Sequence, residues 1–222
     1  MNQLREFNIE LINKYNEIRE EQDLAFPLLV SSNQKYLDGL KKGKNILYIG
    51  QETNCWGNYH DKLMEPSVDS IEELYYSFLK ERCATNRDFW TFIRNCLNIN
   101  REELSQNIIW SNLFLAGKRT SIGAPNCTEK LADMSIENLC FLYEYLKPNG
   151  VVIVGGPCNP YYRLTIDFLT KLKSNLVNSY PTINRPLIFD DANNIFWTYH
   201  PNYQNKKNIK VKVIDEIREK LK

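Results

Sequence analysis

Four groups in this chain have the types and placement to do chemistry: Glu52, Asn112, the Gly155–Gly156–Pro157 turn and His200. Each closely follows a short apolar run. Residues 45–61, NILYIGQETNCWGNYHD, are apolar through Ile46, Leu47 and Ile49, then break at Gly50 into a polar and aromatic stretch. Residues 107–114 (NIIWSNLF), 151–162 (VVIVGGPCNPYY) and 194–207 (NIFWTYHPNYQNKK) repeat the design. An apolar run that stops abruptly at polar residues reads as a buried strand handing over to a functional loop. In open α/β sheets ligands sit just outside the carboxyl ends of the strands, so the four groups are expected along one edge. A carboxylate there can act as a general base, an amide can donate and accept at once, and an imidazole can donate to an oxygen gaining charge. Such a set defines a site without naming its reaction.

The elements that must hold these groups follow from periodicity. Residues 2–20 carry Leu4, Phe7, Leu11, Tyr15 and Ile18 at steps of three and four, the pattern of one helical face. Phe26–Pro27 interrupts, and 32–40 is expected to hold a short second helix, so residues 1–40 form a helical cap on the domain. Helices are predicted over 66–82, where Ser70 and Glu73 suggest a capping box, and over 88–97. Further helices are expected at 128–146, stopped by Lys147–Pro148–Asn149–Gly150, at 160–176 and at 207–222. Between them lie four predicted strands and a short edge segment at 187–189. Apolar strands alternating with helices predict an α/β/α sandwich, three layers around a mainly parallel sheet of about four strands. Residues 1–222 are expected to form a single domain.

Composition narrows the class. The chain has 222 residues, 43% hydrophobic and 25% charged, ordinary for a globular protein, with a net charge of +1. That balance neither demands nor excludes a nucleic-acid partner, because a local basic face matters more than the total. Six scattered cysteines without a Cys-x-x-Cys pair suggest neither a zinc site nor a disulfide framework. The N-terminal residues are too charged for a signal peptide and no apolar run is long enough for a bilayer, so a cytoplasmic setting away from membranes is expected.

Gly50-Gln51-Glu52 after the first strand, Asn112 at the end of the second, a glycine pair after the third and His200-Pro201-Asn202 after the fourth resemble the uracil-DNA glycosylase superfamily. The match is one of order, strand position and residue type, over about 45–205. The resemblance implies an enzyme that flips a nucleotide out of DNA and hydrolyses its N-glycosidic bond, acting as a monomer with no metal and no cofactor. The cysteines lack the clustered pattern of the relatives that carry an iron–sulfur cluster, so no cluster is expected. By the same resemblance, Glu52 stabilises the sugar cation and handles the attacking water, in an ionised state that the polar loop is expected to favour. Asn112 reads the base edge, and His200 donates to the departing base. Gly50, Gln51, Gly155 and Asn202 complete the substrate site. An aromatic must stack on the flipped base, and Trp56, Tyr59 and Phe114 are all candidates. Tyr203 is a candidate wedge into the duplex, with Lys206 and Lys207 on the phosphates. Lys118 and Arg119, in the loop 116–128, are further candidate DNA contacts.

The chain also departs from the superfamily. Glu52 stands where the superfamily has Asp, Asn or occasionally Ala, Thr53 replaces the usual proline and Asn202 the usual serine. The tyrosine that excludes thymine is not at its usual place, where Cys55 or Trp56 lies nearby. These departures widen the expected substrate to a uracil-like or modified pyrimidine. Each residue also has a plainer reading. Glu52 can cap a helix, Asn112 can form a turn, His200 can satisfy a backbone group, and the glycines can simply let a strand turn. Trp90, Trp110 and Trp197 read as core. The rival to a glycosylase is a nucleic-acid-binding module that keeps the fold without the reaction.

Overall fold

The computed structural model describes residues 2–53, 56–57, 67–82 and 87–221. Its central strand, β1 (Ile46–Gly50), is buried along its whole length between β2 (Ile108–Asn112) and β3 (Gly150–Ile153), both parallel to it. Burial on both faces is why these strands read as continuous apolar runs rather than as alternation. β5 (Ile195–Thr198) pairs parallel with β3, and β4 (Leu187–Asp190) pairs antiparallel with β5, giving the order β2-β1-β3-β5-β4. Among the described residues the sheet therefore has five strands rather than about four. The added strand is the edge segment at 187–189, which the short β4–β5 connection folds back as a hairpin. Because β1, β2, β3 and β5 are parallel, their carboxyl ends share one edge, as expected.

Helices pack on both faces. The register aligns Tyr48 with Trp110 and Gly50 with Asn112, so these four residues share a face and Ser111 points to the other. Against the first face lie α3 (Val68–Ser77) and α4 (Asp88–Leu97). The Tyr48 hydroxyl donates to the Phe89 carbonyl at 2.9 Å, and the Tyr75 hydroxyl bonds the Trp110 backbone. Against the second lies α6 (Glu129–Leu146), whose Asn138 donates to the Ser111 hydroxyl at 3.3 Å. α7 (Tyr161–Lys171) packs beside α6, and α9 (Lys210–Lys220) beside α4.

Several local expectations change. The box at the start of α3 is Ser67 with Ser70, one turn earlier than Ser70 with Glu73. A two-serine box works because each hydroxyl reaches the other residue's backbone N–H. α3 runs into a π-helical turn, Phe78–Arg82. α5 (Leu104–Asn107) and α8 (Pro201–Lys206), the latter read as a loop from sequence, are too short to show helical periodicity. The N-terminal region is more than a cap. α1 (Gln3–Asn16) and α2 (Gln34–Leu40) are joined by a chain in which Leu24, Ala25, Phe26, Leu28, Leu29 and Val30 are all buried. Its backbone N–H groups bond the carbonyls of Gly117, Trp56 and Leu115, tying it to the loops that follow β1 and β2.

Candidate functional site

At the shared carboxyl edge, on the α3–α4 face of the sheet, lies a cleft of about 760 Å³. That is within the range of pockets that bury small ligands, roughly 300–1,000 Å³. From β1 and its loop come Gln51, Glu52, Thr53 and Trp56; from β2, Trp110 and Asn112; from the start of α8, His200 and Asn202. The remaining described wall is Phe78 from the π-helical turn and Arg87, Asp88, Phe89 and Trp90 from the start of α4.

Glu52, Asn112 and His200, predicted from three separate strands, thus line one cavity. Glu52 is largely buried, and burial pushes its carboxyl above the usual range. A 2.5 Å hydrogen bond donated by the Tyr161 hydroxyl and the charge of Lys118 act the other way. The expectation that the polar loop favours the ionised form is therefore corrected: burial outweighs the two partners, and the site shifts the carboxyl toward its neutral form. Tyr161 opens α7, and its ring stands edge-on to Phe114 at 5.9 Å.

Asn112 is 2% exposed. Its amide is satisfied when Nδ2 donates to the Ser111 carbonyl at 2.9 Å and Oδ1 accepts from the Thr53 N–H at 3.2 Å. One N–H and one lone pair remain, the donor–acceptor pair that an edge-reading amide needs. Gly50 lies beneath it. A Cβ there would collide with the Asn112 amide and stand 3.0 Å from the Phe89 ring, so the close approach of these groups requires glycine.

His200 is the N-cap of α8, and its Nδ1 accepts from the Asn202 N–H at 3.3 Å. The neutral ring must then carry its proton on Nε2. Burial lowers its pKa below 6.5, while the nearby Asp88 carboxylate opposes this, so the ring is neutral near pH 7 with one donor to offer. The Asp88 carboxylate is held below its usual range by Lys210, whose Nζ lies 2.6 Å away, and is also bonded by Asn205 at 2.8 Å.

The aromatic wall differs most from expectation. Phe114 is fully buried and does not line the cleft, and Tyr59 lies outside the described residues. Trp56 lines it but is only 8% exposed. Trp90 and Trp110, read as core, are both core and wall, packed edge-to-face at 5.1 Å. Trp197 is core, as read. The half-buried ring beside Asn112 is Phe89, which stacks on His200 at 6.1 Å. Phe89 and the adjacent Arg87 and Asp88 sit at a helix start remote in sequence from every strand end, so no local signal marks them. Tyr161 lies at the polar end of the run 151–162, next to its last residue, and was findable there.

The other predicted contacts lie outside the described wall. Gly155 uses its carbonyl to accept from Gln51 Nε2 at 2.8 Å, fastening the loops after β1 and β3 to each other. Arg119 pairs with Asp23 at 2.7 Å, which anchors the loop after β2. Tyr203 is 37% exposed and stacks on Tyr199 at 4.8 Å, with the Lys207 ammonium 5.7 Å from its ring centre. Lys206 and Lys207 are exposed on α8. The sequence matches no protein-family model and no curated protein.

Proposed function

We propose that the chain is a monofunctional DNA glycosylase of the uracil-DNA glycosylase type, acting on a flipped uracil-like or modified pyrimidine. The observation that carries this reading is that Glu52, Asn112 and His200 line one cleft at the carboxyl edge of a mainly parallel sheet. In the proposed reaction the bond between the sugar C1′ and the base nitrogen breaks, and its electron pair leaves with the base. The Nε2–H of His200 donates to the base oxygen on which negative charge grows, an effect of about 3–4 kcal/mol where such donors have been removed from enzymes. Glu52, ionised, faces the sugar cation and takes a proton from the water whose oxygen bonds to C1′. The departing base anion then takes up a proton. Asn112 reads the base edge with its remaining N–H and lone pair, and Phe89 supplies the ring on which the base stacks.

The test is excision from oligonucleotides carrying uracil or modified pyrimidines, read as alkali-cleaved abasic product. Glu52→Gln is expected to lower the rate about 10²–10⁴-fold while DNA binding persists. Equal rates in the two proteins would rule out the assigned role. DNA binding with no product on any substrate would favour the non-catalytic module.

A further inference from the structure

The cleft is furnished beyond the needs of a pyrimidine. Glu52, Asn112, His200 and Phe89 serve one end. Beyond Phe89, which contacts Trp90 at 4.9 Å, the wall continues through Trp110, Phe78 and Trp56 with ring centres 5.1 to 5.7 Å apart. Two residues of this wall, Thr53 and Trp56, only 5% and 8% exposed, each carry a buried side-chain atom, Thr53 Oγ1 and Trp56 Nε1, with no hydrogen-bond partner among the described residues. Leaving such a group unpaired costs about 1–3 kcal/mol, which a bound partner group would recover. At the rim stand a cation and an anion together. Among the described residues the Arg87 guanidinium makes no hydrogen bond or ion pair, whereas the Asp88 carboxylate is fixed by Lys210 and Asn205.

Resting on the glycosylase reading, we infer that the base taken here carries a bulky hydroxyl-rich substituent, a glycosyl group, lying against the ring wall beyond Phe89. A sugar ring offers a C–H face to aromatic rings, and hydroxyls that donate and accept at once. Those hydroxyls suit Thr53 and Trp56 in the wall and the mixed pair Arg87 and Asp88 at the rim. An apolar enlargement of the base would leave both buried polar atoms unpaired. A phosphorylated one would meet the Asp88 and Glu52 carboxylates.

The experiment compares oligonucleotides carrying uracil, 5-hydroxymethylcytosine or its glucosylated form. Binding is measured with Glu52→Gln, so that turnover does not intervene, and excision with the unaltered protein. The glucosylated base is expected to bind about tenfold tighter than the hydroxymethylated one, the worth of one charge-assisted hydrogen bond. Arg87→Ala, at an exposed position that folding tolerates, is expected to shrink that ratio. Equal binding of the three, or preference for a smaller base, overturns the inference, and excision of the smaller bases alongside would leave the glycosylase reading standing. A glucosyl preference without excision would have the opposite meaning, upholding the recognition and removing the reaction.

Discussion

At the scale of single residues, Glu52 is defined by its neighbours. Burial favours its neutral form, and the Tyr161 hydroxyl and the Lys118 charge favour the carboxylate. If the ionised form is the active one, activity rises with pH through the carboxyl's pKa, which lies above 4.5. Tyr161→Phe removes a stabiliser of the charged form, so the acid limb of log kcat/KM against pH should move to higher pH, with activity recovering on the alkaline side. An unmoved limb would make Tyr161 merely a packing residue. Gly50→Ala tests the contact beneath Asn112. Its Cβ has no room between the amide and the Phe89 ring, and overpacking of this kind costs about 1–3 kcal/mol. The expected outcome is a lower melting temperature together with weakened substrate binding, since Asn112 and Phe89 must both shift. Glu52, Asn112 and His200 were legible because each ends or closely follows an apolar run. Phe89 was not, because its helix approaches Gly50 only in three dimensions.

At the scale of elements, α8 owes its start to a titratable cap. Pro201 at the first helical position suits a residue without an N–H, and His200 Nδ1 accepts the N–H of Asn202. Because the folded-state pKa of His200 lies below 6.5, the unfolded chain binds the proton more readily. Stability should therefore fall as pH drops below that value, and the cap should go with it, since a protonated Nδ1 cannot accept. A protection factor at Asn202 that falls from pH 7 to pH 5.5, once the slower intrinsic exchange at lower pH is divided out, is the expected readout; a constant protection factor would refute it. The β4–β5 hairpin depends on Asp190, fully buried, which accepts from Ser174 Oγ at 2.6 Å, Asn193 Nδ2 at 2.8 Å and backbone N–H groups of Asn175, Ala192 and Asn193. Burial pushes its pKa up, but these donors outweigh burial and hold it below the usual range. Asp190→Ala should lower the unfolding free energy by on the order of 2–3 kcal/mol in urea titrations, because it strands several donors. A change under half that would place the hairpin's support elsewhere. The carboxylate's contribution is present above pH 3.8 and is lost as pH falls through its lowered folded-state value.

At the scale of the whole molecule, a net charge of +1 gives no general attraction for DNA, so the proposed DNA binding requires a local face. α8 carries exposed Lys206 and Lys207 beside Tyr203, next to the cleft residues His200 and Asn202. Replacing both lysines with alanine should weaken DNA binding across sequences and flatten the slope of log K against log salt by about 2, roughly one unit for each phosphate no longer neutralised. An unchanged slope would move the DNA path off α8.

The sequence by itself determined the four parallel strands, the longer helices and the edge at which Glu52, Asn112 and His200 meet. Hydrophobic runs and caps are local signals, and parallel strands necessarily place their carboxyl ends together. Only the tertiary structure decided what surrounds those three residues. It set the start of α4 against Gly50 to bring in Phe89, Arg87 and Asp88, aimed Tyr161 at Glu52, and gave the core residues Trp90 and Trp110 a place in the wall as well. These residues lie far apart in the chain, and periodicity records which way a side chain faces, not what it meets there.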